Sequence, residues 1–82
     1  MSDRVKQREL PSRIDTTDGT MIFEGYVSRS TAAPQYAIKR SSLEGTTWIV
    51  KWSGGTLEKR FDWELRTSCG YEEIPLYEYN QA

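Results

Sequence analysis

WIVKWSGGTLEKRFDWEL, residues 48–65, holds all three tryptophans of the chain and a Gly-Gly pair, with charged and apolar residues interleaved on either side of it. Taken as a hairpin with Gly54-Gly55 as a two-residue turn, it sets Trp52 opposite Leu57, Lys51 opposite Glu58, Val50 opposite Lys59 and Trp48 opposite Phe61. One face then gathers Tyr36, Ile38, Trp48, Val50, Trp52, Leu57, Phe61 and Trp63, and the other gathers Lys51, Glu58, Arg60 and Asp62 beside Ile49. This register predicts that the indoles point inward. Arg40 and Lys59 fall among the apolar residues, where their long stems can lie along apolar surface or over a ring. A second reading of the same residues is helical: Leu57, Phe61, Leu65 and Cys69 recur at i+4, with Gly70 placed as a C-cap. It predicts an α+β domain, a three-stranded antiparallel sheet with one helix at about 57–69.

Upstream, residues 35–42 and 46–53 form the next strand pair. A two-residue turn at Glu44-Gly45 would put Tyr36 and Ile38 on the face opposite the tryptophans. A three-residue loop, Leu43-Glu44-Gly45, with Gly45 left-handed, instead sets Tyr36 opposite Trp52, Ile38 opposite Val50 and Arg40 opposite Trp48, and is preferred because a one-residue slip reverses every side chain. Further back, Asp18-Gly19 is a hairpin cue that pairs Thr17 with Thr20, Ile14 with Phe23 and Arg13 with Glu24. Downstream, GYEEIPLYEYNQA contains Pro75, so it reads as an edge strand or an extended tail, acidic and rich in tyrosine. The expectation is a mainly β fold, a small antiparallel meander or SH3-like partly open barrel of about five strands. Residues 1–13 read as a flexible charged arm, 14–79 as a single small β domain and 80–82 as a tail.

A chain of 82 residues, net charge −1, has room for one modest core, to which a 12% aromatic content contributes most of the burial. The single cysteine, Cys69, excludes an internal disulfide and suits a reducing, cytoplasmic setting. No apolar run resembles a signal peptide or a membrane span. With no histidine and one cysteine, zinc and imidazole-assisted catalysis have no ligand set or general base. Gly54-Gly55 lacks the Lys-Ser/Thr that a phosphate loop requires, and the pairs Asp62/Glu64 and Glu72/Glu73 have no apolar pocket around them to raise a carboxyl pKa. The expectation is therefore a protein that is not an enzyme and uses no cofactor.

Binding remains, and two surfaces are candidates. The acidic end offers Tyr71, Glu72, Glu73, Tyr77 and Tyr79, rings of the kind enriched at protein interfaces. The block from Arg29 to Arg60 has a local excess of four positive charges, and Lys39, Arg40, Lys51, Lys59 and Arg60 with Trp48 make a basic and aromatic set suited to single-stranded nucleic acid. Simpler explanations are a solvated polar face and tyrosines packed on the core. YAIKRSS (36–42) followed by TTWIVKWSGG (46–55) resembles the charged and then aromatic strands of small SH3-like or chromo-type barrels, over about a quarter of the chain and without a motif specific to them. The leading expectation is a non-catalytic protein-binding module, by analogy a phage-type accessory or inhibitor protein that occludes a partner surface. An edge strand could also join a second copy into a homodimer. The alternative is a small nucleic-acid-binding β domain.

Overall fold

Runs rich in β-branched and aromatic residues, MIFEGYVS, QYAIKRSSLE and TWIVKWS, become the three longest strands of a single antiparallel sheet. The computed structural model describes residues 3–29 and 33–75. In chain order the strands are β1 (Arg13–Asp18), β2 (Met21–Ser28), β3 (Gln35–Glu44), β4 (Thr47–Ser53) and β5 (Tyr71–Glu72), each hydrogen-bonded to the next. The fold is thus the expected small β meander of five strands, and it is not closed into a barrel. Among the described residues no helix is long and apolar enough to cross a membrane.

The registers differ from those expected. β3 and β4 pair Glu44 with Thr47, Arg40 with Lys51 and Lys39 with Trp52, so the turn is Gly45-Thr46 and not Leu43-Glu44-Gly45. Gly45 has φ 64°, which places the glycine at the first central position of a two-residue hairpin, the site where its freedom is needed to match strand twist. Because the shift is odd, Tyr36 and Ile38 lie on the opposite face from Trp48, Val50 and Trp52. The β1–β2 turn is also displaced, to Gly19-Thr20 between Asp18 and Met21, with Arg13 opposite Gly25 and an irregularity between Asp15 and Asp18. Asp18 holds this turn by accepting from the Thr20 backbone N–H at 2.9 Å and the Thr20 hydroxyl at 2.8 Å, so a side-chain cap does the work expected of left-handed backbone.

Two cores follow from this register, one on each side of the sheet. Phe23, Tyr36, Ile38 and Trp63 cluster on one face, and Val5, Tyr26, Ala37, Trp52, Leu57 and Ile74 on the other. The expectation that the three tryptophans share one buried face is therefore corrected: Trp63 is 7% exposed on the first face, Trp52 is 5% exposed on the second, and Trp48 is 45% exposed. Gly25 makes the first cluster possible, since a Cβ there would stand 2.7 Å from the Trp63 ring. Burial pushes the Tyr26 hydroxyl up to about 12 on the second face, where its ring packs on Trp52 with centroids 5.4 Å apart.

The segment after β4 is neither the second arm of a hairpin nor a helix over 57–69. Gly54 (φ 66°) and Gly55 (φ 63°) turn the chain out of the sheet, and the place beside Trp52 and Ser53 is taken by Glu72 and Tyr71 of β5. Leu57 drops into the Trp52 cluster, and Phe61 then exchanges two backbone hydrogen bonds with Tyr36, at 2.8 and 2.9 Å, in the lane that β4 has left. Only Trp63–Leu65 is helical, a single 3₁₀ turn whose N-cap, Asp62, accepts from the Glu64 N–H. The i+4 stripe fails because Leu57 and Phe61 serve different parts of the sheet and Leu65 is exposed.

The segment read as a charged arm is laid onto the domain from Asp3 to Ser12. The Val5 N–H donates to the Leu57 carbonyl at 2.9 Å, and the Lys59 N–H donates to the Asp3 carbonyl at 2.8 Å. Val5 itself is 7% exposed. The Lys59 ammonium, expected on a surface, is buried and held by Glu9 at 2.6 Å with Asp3 at 4.0 Å. A strand-forming valine between charges is thus the anchor, and the charges find partners fifty residues away in the chain.

Candidate binding surface

The direction of the backbone groups along β4 follows from its hydrogen bonding. The Leu43 N–H is committed to Thr20 of the β1–β2 turn, so the pair Leu43–Trp48 exchanges no bonds, and the backbone groups of Trp48 and Val50 point away from β3. Beyond them β5 reaches only Trp52 and Ser53. Among the described residues, the outer edge of Thr47–Lys51 is consequently unpaired.

The side chains above that edge are apolar on the Trp52 face. Ile22, Ser41 and Val50 lie in one cross-strand row, and Leu43 and Trp48 in the next. Val50 is 39% exposed, and Ile22 and Leu43 are half-buried. Together they form a strip that no described segment covers, next to the part of the same face closed by Val5, Leu57 and Ile74. Farther along the strip, Lys39 meets Glu24 at 3.7 Å and Ile14 stands 59% exposed. Sequence reasoning found Trp48 but missed Ile22, Leu43 and Val50. The signal was Gly45 followed by Thr46, whose two-residue turn places these four residues together.

The basic candidates are dispersed. Lys39 is paired with Glu24 on the Trp52 face, Lys59 is buried against Glu9, and Arg60 is bound to Glu58 at 2.9 Å and lies over the Phe61 ring. Arg40 and Lys51 are direct cross-strand neighbours on the Trp63 face, the side away from Trp48. The expected nucleic-acid set is thus split between two faces, with three of its cations already paired.

Of the acidic end, Tyr71 is turned into the sheet rather than outward. Its hydroxyl donates to the Arg66 carbonyl at 2.6 Å, its ring packs 5.8 Å from Phe23, and burial raises its pKa. Glu72 and Glu73 are exposed. Tyr77 and Tyr79 lie outside the described residues. Cys69 is half-buried, its thiol donates to the Leu65 carbonyl, and burial raises its pKa, which is the reverse of what a nucleophilic thiolate needs.

No protein-family model, curated protein sequence or solved structure gives a significant match to this chain.

Proposed function

We propose that this protein is a non-catalytic binding module that captures an extended segment of a protein partner along the outer edge of β4 and so occludes that segment. The observation that carries this reading is the coincidence of an edge at Thr47–Lys51 that is unpaired among the described residues with the exposed apolar strip of Ile22, Leu43, Trp48 and Val50. Backbone bonds to the outward-facing groups of Trp48 and Val50 supply affinity, and the strip supplies selection for apolar side chains at alternate positions. Glu72 and Glu73, exposed where β5 ends, flank the edge with negative charge.

A random peptide library panned against the protein tests this, with hydrogen exchange as the readout. The Trp48 and Val50 amides should exchange freely in the isolated protein and become protected by a selected peptide, which should lose its binding to a Val50→Pro variant. Selected peptides that leave both amides unprotected, or that bind Val50→Pro equally well, would overturn the reading. The nucleic-acid alternative rests on Arg40 and Lys51. A gel shift with random single-stranded DNA and RNA, repeated with Lys51→Glu and Arg60→Glu, would remove it if no shift occurs at low salt.

A further inference from the structure

On the Trp63 face, a cavity of about 450 Å³ opens between the β1–β2 hairpin and the segment around Arg66 and Tyr71. Its floor is apolar and aromatic, with Met21, Phe23 and the Tyr71 ring. Four charged side chains also line it, and three of them are committed. Asp15 is bound by Arg66 at 2.9 Å and by the Thr17 N–H at 3.0 Å, and Asp18 is spent on Thr20. Arg66 is further occupied by the Trp63 carbonyl at 3.1 Å, with its guanidinium over the Trp63 ring.

Arg40 is the exception. Its guanidinium carbon sits 4.6 Å from the centre of the Tyr71 ring, which fixes the plane of the group. Its Nε–H is buried and finds no acceptor among the described residues, and no carboxylate there forms an ion pair with it. Directly across the strand pair stands Lys51, a second cation on the same face without an ion pair among the described residues. Like charges placed opposite each other are unfavourable, and a buried charged donor without an acceptor is more so, unless an anion sits with them.

We propose that this cavity binds a carboxylate carried on an apolar or aromatic body, with Arg40 as its principal contact. The carboxylate takes the terminal Nη donors of Arg40 from the open side, the Nε–H lying buried behind them, Lys51 adds charge, and the body rests against Met21, Phe23 and Tyr71. A monoanion suits the site better than a phosphate dianion, because Asp15 and Asp18 keep negative charge on the opposite wall. The carboxylate could belong to a free small molecule or to the C-terminus of a peptide ending in an aromatic residue. This inference is independent of the β4 edge, since the backbone groups exposed there and the Trp48 strip lie outside the cavity.

The test is a titration followed by ¹H–¹⁵N NMR, including the arginine Nε–H signals, with phenylacetate as probe, 2-phenylethanol as its neutral counterpart and acetate as the anion without a body. Phenylacetate should give saturable shifts at Arg40 Nε–H, Tyr71 and Met21, and should bind at least ~10-fold more tightly than either control. A tripeptide ending in phenylalanine, compared with its C-terminal amide, distinguishes the peptide source: tighter binding of the free acid than of phenylacetate assigns the site to a chain end, and weaker binding assigns it to a small acid. Arg40→Gln should abolish the phenylacetate shifts, and Arg40→Lys, which keeps the charge but not the fork, should weaken binding about tenfold. If phenylethanol shifts the same signals as strongly, if phenylacetate causes no saturable change, or if a folded Arg40→Gln binds it as before, the proposal is wrong.

Discussion

At one margin of the sheet, β1 carries Arg13, Asp15 and Asp18 and breaks its register between Asp15 and Asp18. At the other, β4 pairs with β3 from Thr47 onward without a bulge, and Lys51 is the one charged residue among its seven. Bulges and charges are the ordinary means by which an edge is kept from pairing with another chain. The contrast shows that the two margins are under different demands. β1 is finished as an outer surface, whereas among the described residues β4 is covered only where β5 meets Trp52 and Ser53. An edge with apolar side chains and, among the described residues, unpaired backbone groups is what the proposed capture of an extended segment requires.

The strongest way to break this comparison is to remove the anchor of each edge strand in turn. Trp52→Ala empties the centre of one core and should cost about 3–5 kcal/mol in urea unfolding. Ile14→Ala, at a side chain 59% exposed on β1, should stay within about 0.5 kcal/mol. Equal losses would mean that the edges do not differ in the way described. Gly25→Ala, in β2 between them, would push a methyl group against the Trp63 ring and should cost about 1–3 kcal/mol, with a loss of near-ultraviolet circular dichroism from Trp63.

Asp15 sharpens the account of the guarded edge. The Thr17 N–H first, then the Thr17 hydroxyl and Arg66, hold its carboxyl down at about 2, against an ordinary value of 3.8. A lowered folded-state pKa gives stability that is fully present above pH 3.8 and disappears as the pH falls through about 2. Asp15→Asn should therefore be less stable than the parent at neutral pH, and the two melting temperatures should converge towards pH 2. A gap that persists undiminished at that pH would assign the effect to something other than ionisation. A small change in stability also belongs to Val50→Pro. Its N–H faces outward, so the substitution removes no bond of the ladder and should alter unfolding by less than about 1 kcal/mol while abolishing peptide capture at the β4 edge. Size-exclusion chromatography of the parent across a concentration series would reveal whether a second copy competes for the same edge.

Strand existence was legible, because alternating residues such as those of Met21–Ser28 and Thr47–Ser53 have few other uses. Register was not, because alternation selects a pairing only where one face is buried. When both faces carry a core, Tyr36 and Ile38 on one side and Ala37 and Trp52 on the other are equally satisfied, and alternation no longer selects a pairing. Residues 57–69 defeated both periodicities because Leu57 and Trp63 pass to opposite faces while Phe61 fills a gap in the sheet itself. The apolar strip has the same cause: Trp48 stands out by its chemistry, but Ile22 and Leu43 fall beside it only with the turn at Gly45-Thr46. Arg40 and Lys51 were grouped correctly as cations, while their separation from Lys59 and Arg60 required knowing that Glu9 and Glu58 had already claimed the latter.

The attachment of Val5 to Leu57 and of Asp3 to Lys59 bears on how the molecule is made. A ribosome releases the N-terminal residues first, yet their places against the sheet do not exist until the chain has been extended past Lys59. Residues 3–12 must therefore wait through most of synthesis, and their docking closes the structure late. A sequence dense in Lys, Arg, Asp and Glu at that end is suited to the interval, since it resists adhesion while Tyr26 and Trp52 are still uncovered.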